Sequence, residues 1–175
     1  MKQVLLSLAV AVFCITAGMA QVTKPTVEGI TNFAQVESTV ACTGAIKPTS
    51  IAGIQKMGFA SIINLRVATE PGAEIDAEAA AAREVGITFV HLPFAGAAPD
   101  PAVADHFLQI IRTAGNQPAF IHCATGGRAA TMWLIKRVLI DKWELDRATD
   151  EAAQLGLASP GLKKFALDYI EAHKK

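Results

Sequence analysis

The chain has 175 residues, which is enough for one domain with a buried core. Apolar residues make up 51% and charged residues 18%, a balance typical of a folded globular protein rather than a disordered one. The formal net charge is zero and no basic stripe is present, so nucleic acid is not an expected partner.

Residues 1–20 have the layout of a secretory signal peptide. Lys2 gives a positive start, an apolar run extends from Val4 to Ile15, and Gly18-Met19-Ala20 supplies the small residues of a cleavage site. The apolar run is short for a bilayer span, and a membrane anchor is the alternative. We therefore predict an exported protein, periplasmic or secreted, whose single domain covers residues 21–175 without stable membrane insertion after cleavage.

The next segments predict a lead-in, short strands and a first helix. Residues 21–32 are polar and read as a lead-in. Residues 33–43 mix β-branched and polar side chains, which predicts one or two short strands. Apolar residues at helical spacing predict a helix over residues 51–57, and Gly58 ends it.

Strands and helices then alternate through the middle of the chain. Short apolar runs rich in β-branched residues predict three buried strands, at residues 60–65, 87–92 and 118–122. Helical patterns separate them, at residues 75–84 and 102–113. This alternation predicts an α/β fold with a mostly parallel central sheet flanked by helices.

Helical patterns continue to the end of the chain. They cover residues 128–140 and 141–156, and Ser159-Pro160 opens a last helix with a capping residue followed by proline. In open parallel sheets, ligands bind beyond the carboxyl ends of the strands. Cys123 directly follows the third buried strand, so we expect it at that edge.

Cys123 opens a glycine-bearing loop that Arg128 ends, here called the cysteine loop (residues 123–128). Thiolate is the reactive form of cysteine, and the start of a helix lowers thiol pKa. Gly126 and Gly127 allow successive backbone N–H groups to converge on an oxyanion. The planar guanidinium of Arg128 can bind two oxyanion oxygens. The alternative is an inert buried cysteine.

The pattern His122-Cys123-x-x-Gly126-x-Arg128 resembles the active loop of cysteine-dependent phosphatases. More narrowly, the chain resembles the beta-lactamase-hydrolase-like, phosphatase-like family, through the stretches at 33–36, 62–66 with Glu70, 91–93, the cysteine loop and the helical tail. The resemblance implies a dual-specificity-phosphatase-like fold. It also implies Cys123 as the nucleophile that forms a phosphocysteine and Arg128 as the residue that binds the transition state. The backbones of Ala124, Thr125, Gly126 and Gly127 would form the oxyanion cradle.

The resemblance further implies a carboxylic acid that protonates the leaving group from a nearby loop. Asp100 lies at about the corresponding place, although it could instead be a helix cap before Pro101. Two features depart from the phosphatases. The loop has four residues between Cys123 and Arg128, one fewer than usual, as in the rhodanese sulfurtransferases, whose cysteine carries a persulfide. Ala129 also replaces a hydroxyl residue, for which Thr125 or Thr131 could substitute.

Side chains near the loop carry further expectations. His122 is expected to orient the loop, and Arg66 to pair with Glu70 or Glu74 rather than to bind an anion. The histidines lack metal-ligand spacing, so neither a metal nor another cofactor is expected. Cys42 could form a disulfide with Cys123, an arrangement that we do not favour.

Three functions remain open, all with a phosphate- or sulfur-bearing oxyanion as substrate or ligand. The first is a hydrolase of the protein-tyrosine or dual-specificity phosphatase type. The second is a rhodanese-like sulfurtransferase or persulfide protein. The third is an anion-binding or redox module without catalysis.

Overall fold

A single six-stranded sheet organises the residues that the computed structural model describes, 21–174. Its strands, in chain order, are β1 (Val22–Thr23), β2 (Ala34–Val36), β3 (Val40–Thr43), β4 (Ser61–Asn64), β5 (Thr88–His91) and β6 (Ala119–His122). The spatial order is β1-β2-β3-β6-β4-β5. The pairs β1–β2 and β2–β3 are antiparallel, whereas the pairs β3–β6, β6–β4 and β4–β5 are parallel. Parallel β6 therefore lies at the centre, where both of its faces are buried.

Helices cover both faces of the sheet. The helices, in chain order, are α1 (Ile51–Lys56), α2 (Ile75–Val85), α3 (Pro101–Arg112), α4 (Gly127–Leu139), α5 (Leu145–Gln154) and α6 (Pro160–His173), with a 3-10 turn at Pro48–Ser50. Apolar residues of α1 and α2 share a core with Phe120 on one face of the sheet. Those of α3 to α6 share a larger core with Ile121 and Cys123 on the other face. Among the described residues, no helix is long and apolar enough to span a bilayer.

Helix α4 runs from the cysteine loop through the larger core. Every residue after Gly127 in this helix is buried, including its polar and charged residues Arg128, Thr131, Lys136 and Arg137. The buried Arg137 is neutralised by Glu151 of α5, with 2.7 Å between Nε and Oε1. Trp133 donates its indole N–H to the same oxygen at 2.7 Å. The loop that precedes α4 is thus attached to a rigid, fully packed element.

The predicted α/β class and mostly parallel sheet are confirmed, with three differences in detail. Strand β5, which was predicted to be buried, lies at the edge of the sheet, and its four residues are exposed or only partly buried. The two-residue edge strand β1 lies in a segment predicted to be a lead-in. The helix predicted from residue 141 begins at Leu145, because Lys142 adopts a left-handed conformation (φ 59°) and Trp143 donates its backbone N–H to Arg137 at 3.0 Å. The predicted signal peptide, residues 1–20, lies outside the described residues.

Candidate active site

Cys123 lies at the carboxyl end of the central strand, as predicted. Its backbone N–H donates to Thr43 at 3.1 Å, which extends the pairing of β6 with β3 by one residue. The side chain is buried, with 1% exposure. The backbone N–H of Gly126 donates to the Cys123 Sγ at 3.1 Å. The sulfur therefore already faces one amide of the cysteine loop.

The carbonyl groups of the cysteine loop are bound on its outer side. Ala45 donates its backbone N–H to the Ala124 carbonyl at 3.1 Å, and the Asn32 side-chain amide donates to the Thr125 carbonyl at 3.1 Å. Because the N–H and C=O of one trans peptide point in opposite directions, the N–H groups of Thr125 and Gly126 face inward. Such convergent amides form a cradle for an oxyanion.

Glycine is required at two positions around this cradle. Gly126 has a φ of 106°, which residues other than glycine rarely adopt. Gly44 approaches the loop so closely that a Cβ there would lie 3.0 Å from the Ala124 carbonyl oxygen. Sequence reasoning identified Gly126 through its place in the motif but missed Gly44, whose role depends on a contact across the sheet.

Arg128 is the second residue of α4 and is held by acceptors from two other loops. Its Nη1 donates to the carbonyls of Leu65 at 3.1 Å and Phe94 at 2.8 Å. Glu70 accepts from both terminal nitrogens, at 2.6 and 2.7 Å. Although burial opposes the charged form, these bonds to Glu70 and the nearby Cys123 raise the pKa of Arg128. The guanidinium is therefore fixed beside the sulfur.

Glu70 is oriented by the loop that carries it, residues 65–74. The hydrogen bond from Arg128 is the main cause that lowers the pKa of this carboxyl to about 2. The backbone N–H of Val67 donates to Glu70 at 2.9 Å, and Arg66 Nε does so at 3.3 Å. The pairing of Arg66 with Glu70 was predicted. The pairing of Glu70 with Arg128 was not, because those residues are far apart in sequence.

Asp100 occupies the helix-cap position that was considered for it. Its Oδ1 accepts the Ala102 backbone N–H at 2.9 Å, at the start of α3. The loop that ends at Asp100 starts beside the site, since Phe94 accepts from Arg128 and a Cβ at Gly96 would lie 3.5 Å from the Arg128 Cδ. Asp100 itself is exposed.

The hydroxyl groups considered as substitutes at Ala129 take different positions. Thr131 is buried, and its Oγ1 donates to the Gly127 carbonyl at 2.8 Å, so its proton is already used within α4. Thr125 is exposed, and its backbone pairs with Gly44. Ala129 itself is fully buried.

The two cysteines of the described chain are both free thiols. Cys42 pairs with Ile121 across the β3–β6 ladder, so Cys123 lies two residues beyond its strand partner. Burial raises the pKa of the Cys42 thiol well above its usual value, and the neighbouring Cys123 raises it further. Residues 21–174 contain no cluster of three or more side chains that could hold a metal ion.

A buried polar group behind the cysteine loop was missed by sequence reasoning. Glu78 of α2 and His122 of β6 are both fully buried, with 3.1 Å between Oε2 and Nε2. Asn64 of β4 donates its side-chain amide to the same Glu78 oxygen at 2.6 Å. In the sequence, Glu78 resembles an ordinary acidic residue of an alanine-rich helix, and only the packing of α2 against the sheet distinguishes it.

Solved structures of other proteins share the fold of this chain. A DUF442 phosphatase structure from Shewanella putrefaciens CN-32 superposes with a TM-score of 0.69 at 15% identity, over 85% of this chain and 97% of that one. TpbA of P. aeruginosa, solved in complex with phosphotyrosine, gives a TM-score of 0.65 at 16% identity, over 91% and 93% of the two chains. The fold of this chain is therefore the one found in these phosphatase structures.

Sequence comparison gives the particular family. Residues 32–140 match the model of the family described as "Beta-lactamase hydrolase-like protein, phosphatase-like domain", and the chain belongs to this family. The beta-lactamase hydrolase-like protein of Xylella fastidiosa is 28% identical over 140 residues. That match covers 75% of this chain but only 32% of the relative, so the chain spans about a third of the relative's length.

Proposed function

We propose that the protein hydrolyses phosphomonoesters through a phosphocysteine on Cys123. The observation that carries this proposal is the arrangement of the cysteine loop, in which an inward-facing amide contacts the sulfur and Arg128 is held beside it. Cradles of this kind stabilise charge that develops on oxygen in the transition state. The family and the fold support the same chemistry.

The reaction takes place in two steps. The Cys123 thiolate attacks phosphorus, the bond between phosphorus and the ester oxygen breaks, and the leaving oxygen takes up a proton. Water then attacks the phosphocysteine, which releases inorganic phosphate and restores the cysteine. In both steps the inward amides and Arg128 bind the equatorial oxygens of the transferring phosphoryl group.

Asp100 is the proposed proton donor for the leaving group. It lies at the end of the 94–100 loop, whose residues Phe94 and Gly96 lie beside Arg128. Movement of this loop would bring the carboxyl toward the site, as is usual for general acids on mobile loops. We assign aryl phosphates as the substrate class to test first, because TpbA, which shares this fold, was solved with phosphotyrosine.

The test is a parallel assay of the chain from Gln21 onward, purified under reducing conditions. We expect release of inorganic phosphate from an aryl phosphate, inhibition by orthovanadate, and loss of turnover in Cys123→Ser. A folded wild-type protein that binds vanadate but releases no phosphate from aryl or alkyl phosphates would contradict the proposal and leave an anion-binding module.

The length of the cysteine loop favours a second candidate, sulfur transfer. Four residues separate Cys123 from Arg128, the length found in the rhodanese sulfurtransferases that the loop resembles. In this reaction the Cys123 thiolate attacks the outer sulfur of thiosulfate, the S–S bond breaks and sulfite leaves. The loop amides stabilise the resulting persulfide, whose outer sulfur then passes to cyanide as thiocyanate and restores the thiolate. Thiosulfate-to-cyanide transfer that requires Cys123, without release of phosphate from esters, would favour this function over the first.

Export to the periplasm or outside the cell completes the proposal. It rests on the charge and hydropathy of residues 1–20. Fractionation of cells that produce the full chain is the test. We expect a mature N-terminus at Gln21 in the exported fraction, and an uncleaved chain in the cytosol would contradict this part.

A further inference from the structure

Glu78 is a buried carboxylate that the reaction proposed above does not use. It has no exposed surface, and burial of a carboxylate is costly unless partners compensate for its charge. Its Oε2 lies near Asn64 and His122, whereas its Oε1 has no hydrogen-bond partner among residues 21–174. A buried pair of ionisable side chains often contributes little to the free energy of unfolding, since apolar residues of similar size can replace it without loss of stability. The position of Glu78 therefore suggests another role.

A chain of hydrogen bonds connects Glu78 to the catalytic arginine. Asn64 donates to Glu78 at 2.6 Å and accepts the backbone N–H of Arg66 at 2.7 Å. Arg66 in turn donates to Glu70 at 3.3 Å, and Glu70 accepts from Arg128 at 2.6 and 2.7 Å. The four links run from helix α2, through the end of β4, to the first turn of α4.

The second of these hydrogen bonds, from the Arg66 backbone N–H to Asn64, holds the 65–74 loop where it leaves the sheet. Asn64 is the last residue of β4, and its two side-chain bonds determine the direction of the backbone at Arg66. The guanidinium of Arg66 then binds the carbonyls of Pro71 and Gly72, each at 2.6 Å. The loop is therefore closed around Arg66, and the place of Glu70 depends on how Asn64 is held.

His122, which directly precedes the cysteine loop, also contacts the Glu78 carboxylate. Asn64 and His122 are partners in the β4–β6 ladder, so their side chains lie side by side on one face of the sheet. The next residue, Cys123, faces the larger core on the opposite side. Glu78 thus contacts the residue before the nucleophile and begins the chain of bonds that reaches Arg128.

We propose that Glu78 is a positioning residue, which acts through Asn64, Arg66 and Glu70 to hold Arg128 in the geometry that binds the transition state. This inference rests on the proposed phosphatase function. Its distinguishing consequence is that loss of the Glu78 acceptor weakens transition-state binding more than substrate binding. A merely structural residue would instead change stability without changing the properties of the molecules that remain folded.

The test compares two buried glutamates that differ in their link to the loop. Glu78→Met removes the acceptor, and Glu151→Met removes a similarly buried carboxylate that binds Arg137 and Trp133 at the distant end of α4. For each variant, vanadate affinity, kcat and KM are measured per folded molecule, and stability is measured by urea unfolding. Glu78→Gln, which keeps an acceptor for Asn64, is the conservative rescue.

We expect Glu78→Met to weaken vanadate binding and to lower kcat by roughly tenfold, with KM changed less than about twofold. Glu78→Gln should stay within about threefold of the wild type, and Glu151→Met should alter stability alone. In a Glu70→Gln background, Glu78→Met should have little further effect, because both changes act on one series of bonds. Equal vanadate affinity in Glu78→Met and Glu151→Met, or full additivity with Glu70→Gln, would overturn the proposal.

The proposal can still be tested if Glu78→Met does not fold or if the wild type has no phosphatase activity. If Glu78→Met does not fold, Asn64→Ala interrupts the series of hydrogen bonds between Glu78 and Arg128 and should give the same loss of vanadate affinity. If the wild type hydrolyses no phosphate ester, the proposed function fails. The comparison of vanadate affinities still decides whether Glu78 positions Arg128, so the two failures are distinguishable.

Discussion

The contact between Glu70 and Arg128 gives the sharpest prediction, through the change Glu70→Gln. The carboxylate accepts from both terminal nitrogens of Arg128, and the amide of glutamine would turn an NH₂ donor toward one of them. One charge-assisted bond is then lost and one donor faces another. We expect Arg128 to lose its fixed position, with a fall in kcat of about tenfold to a hundredfold.

The size of the stability effect follows from the bonds and their exposure. Hydrogen bonds to charged groups contribute about 1.5–3 kcal/mol each when they are buried. The Glu70 side chain is 23% exposed, so solvent screens part of this interaction. We therefore expect the free energy of unfolding to fall by about 1.5 kcal/mol at neutral pH, the lower end of that range.

The effect must also depend on pH. Binding to Arg128 lowers the pKa of Glu70 from 4.5 to about 2, so the folded state favours the ionised form. This contribution is fully present above pH 4.5 and is lost as the pH falls through the folded-state pKa. The difference in unfolding free energy between wild type and Glu70→Gln should therefore shrink between pH 4.5 and pH 2.

Urea unfolding of both proteins across this pH range, with aryl phosphate turnover at neutral pH, is the assay. Glu74→Gln is the matched control, because Glu74 is an exposed carboxylate in the same loop. It should change neither stability nor turnover appreciably. An unfolding free energy difference that stays constant down to the acid limit, or a kcat equal to that of wild type, would refute the reasoning.

Three further predictions concern residues around the site. Gly126→Ala places a side chain at a φ of 106°, so we expect a loss of about 1–2 kcal/mol in unfolding free energy and greatly weakened vanadate binding; unchanged vanadate affinity would count against the cradle. Asp100→Asn preserves the cap of α3, and therefore the melting temperature, but should lower turnover of alkyl phosphates by about a hundredfold or more; equal turnover would reduce Asp100 to a cap. Cys42 should resist iodoacetamide in the folded protein, because the side chain is fully buried and burial raises the pKa of its thiol, and we expect it to form no disulfide with Cys123; peptide mapping that finds labelled or disulfide-bonded Cys42 would contradict this.

Much of the fold could be predicted from local sequence patterns. Strands β4 and β6 are short, buried apolar runs, and β4, β5 and β6 all lie within the predicted ranges. The predicted burial of β5 is wrong, because its place at the edge of the sheet is set by the strand order and not by its own pattern. Strand β1 has only two residues, Val22 and Thr23, which is too short for any periodic pattern. The delayed start of α5 depends on the conformation of Lys142 and on a bond to Arg137, neither of which periodicity reveals.

The site divides in the same way between local and long-range features. The loop from Cys123 to Arg128 is contiguous, so its residue types and spacing were sufficient to predict an oxyanion cradle. Glu70 and Gly44 act on the loop from other strands and loops, and their roles appear only when the sheet is assembled. Glu78 follows the same rule, since nothing in α2 distinguishes it from its neighbouring acids except its burial against Asn64.

Direct detection of the covalent intermediate tests the central claim most sharply. The chain is mixed with an aryl phosphate, quenched in acid within milliseconds to seconds, digested and analysed by mass spectrometry, with Cys123→Ser and thiosulfate treatment in parallel. We predict a phosphoryl group on the peptide that contains Cys123, absent from Cys123→Ser and lost on longer incubation as inorganic phosphate appears. A persulfide on Cys123 after thiosulfate treatment, with no phosphopeptide at any time, would contradict the account.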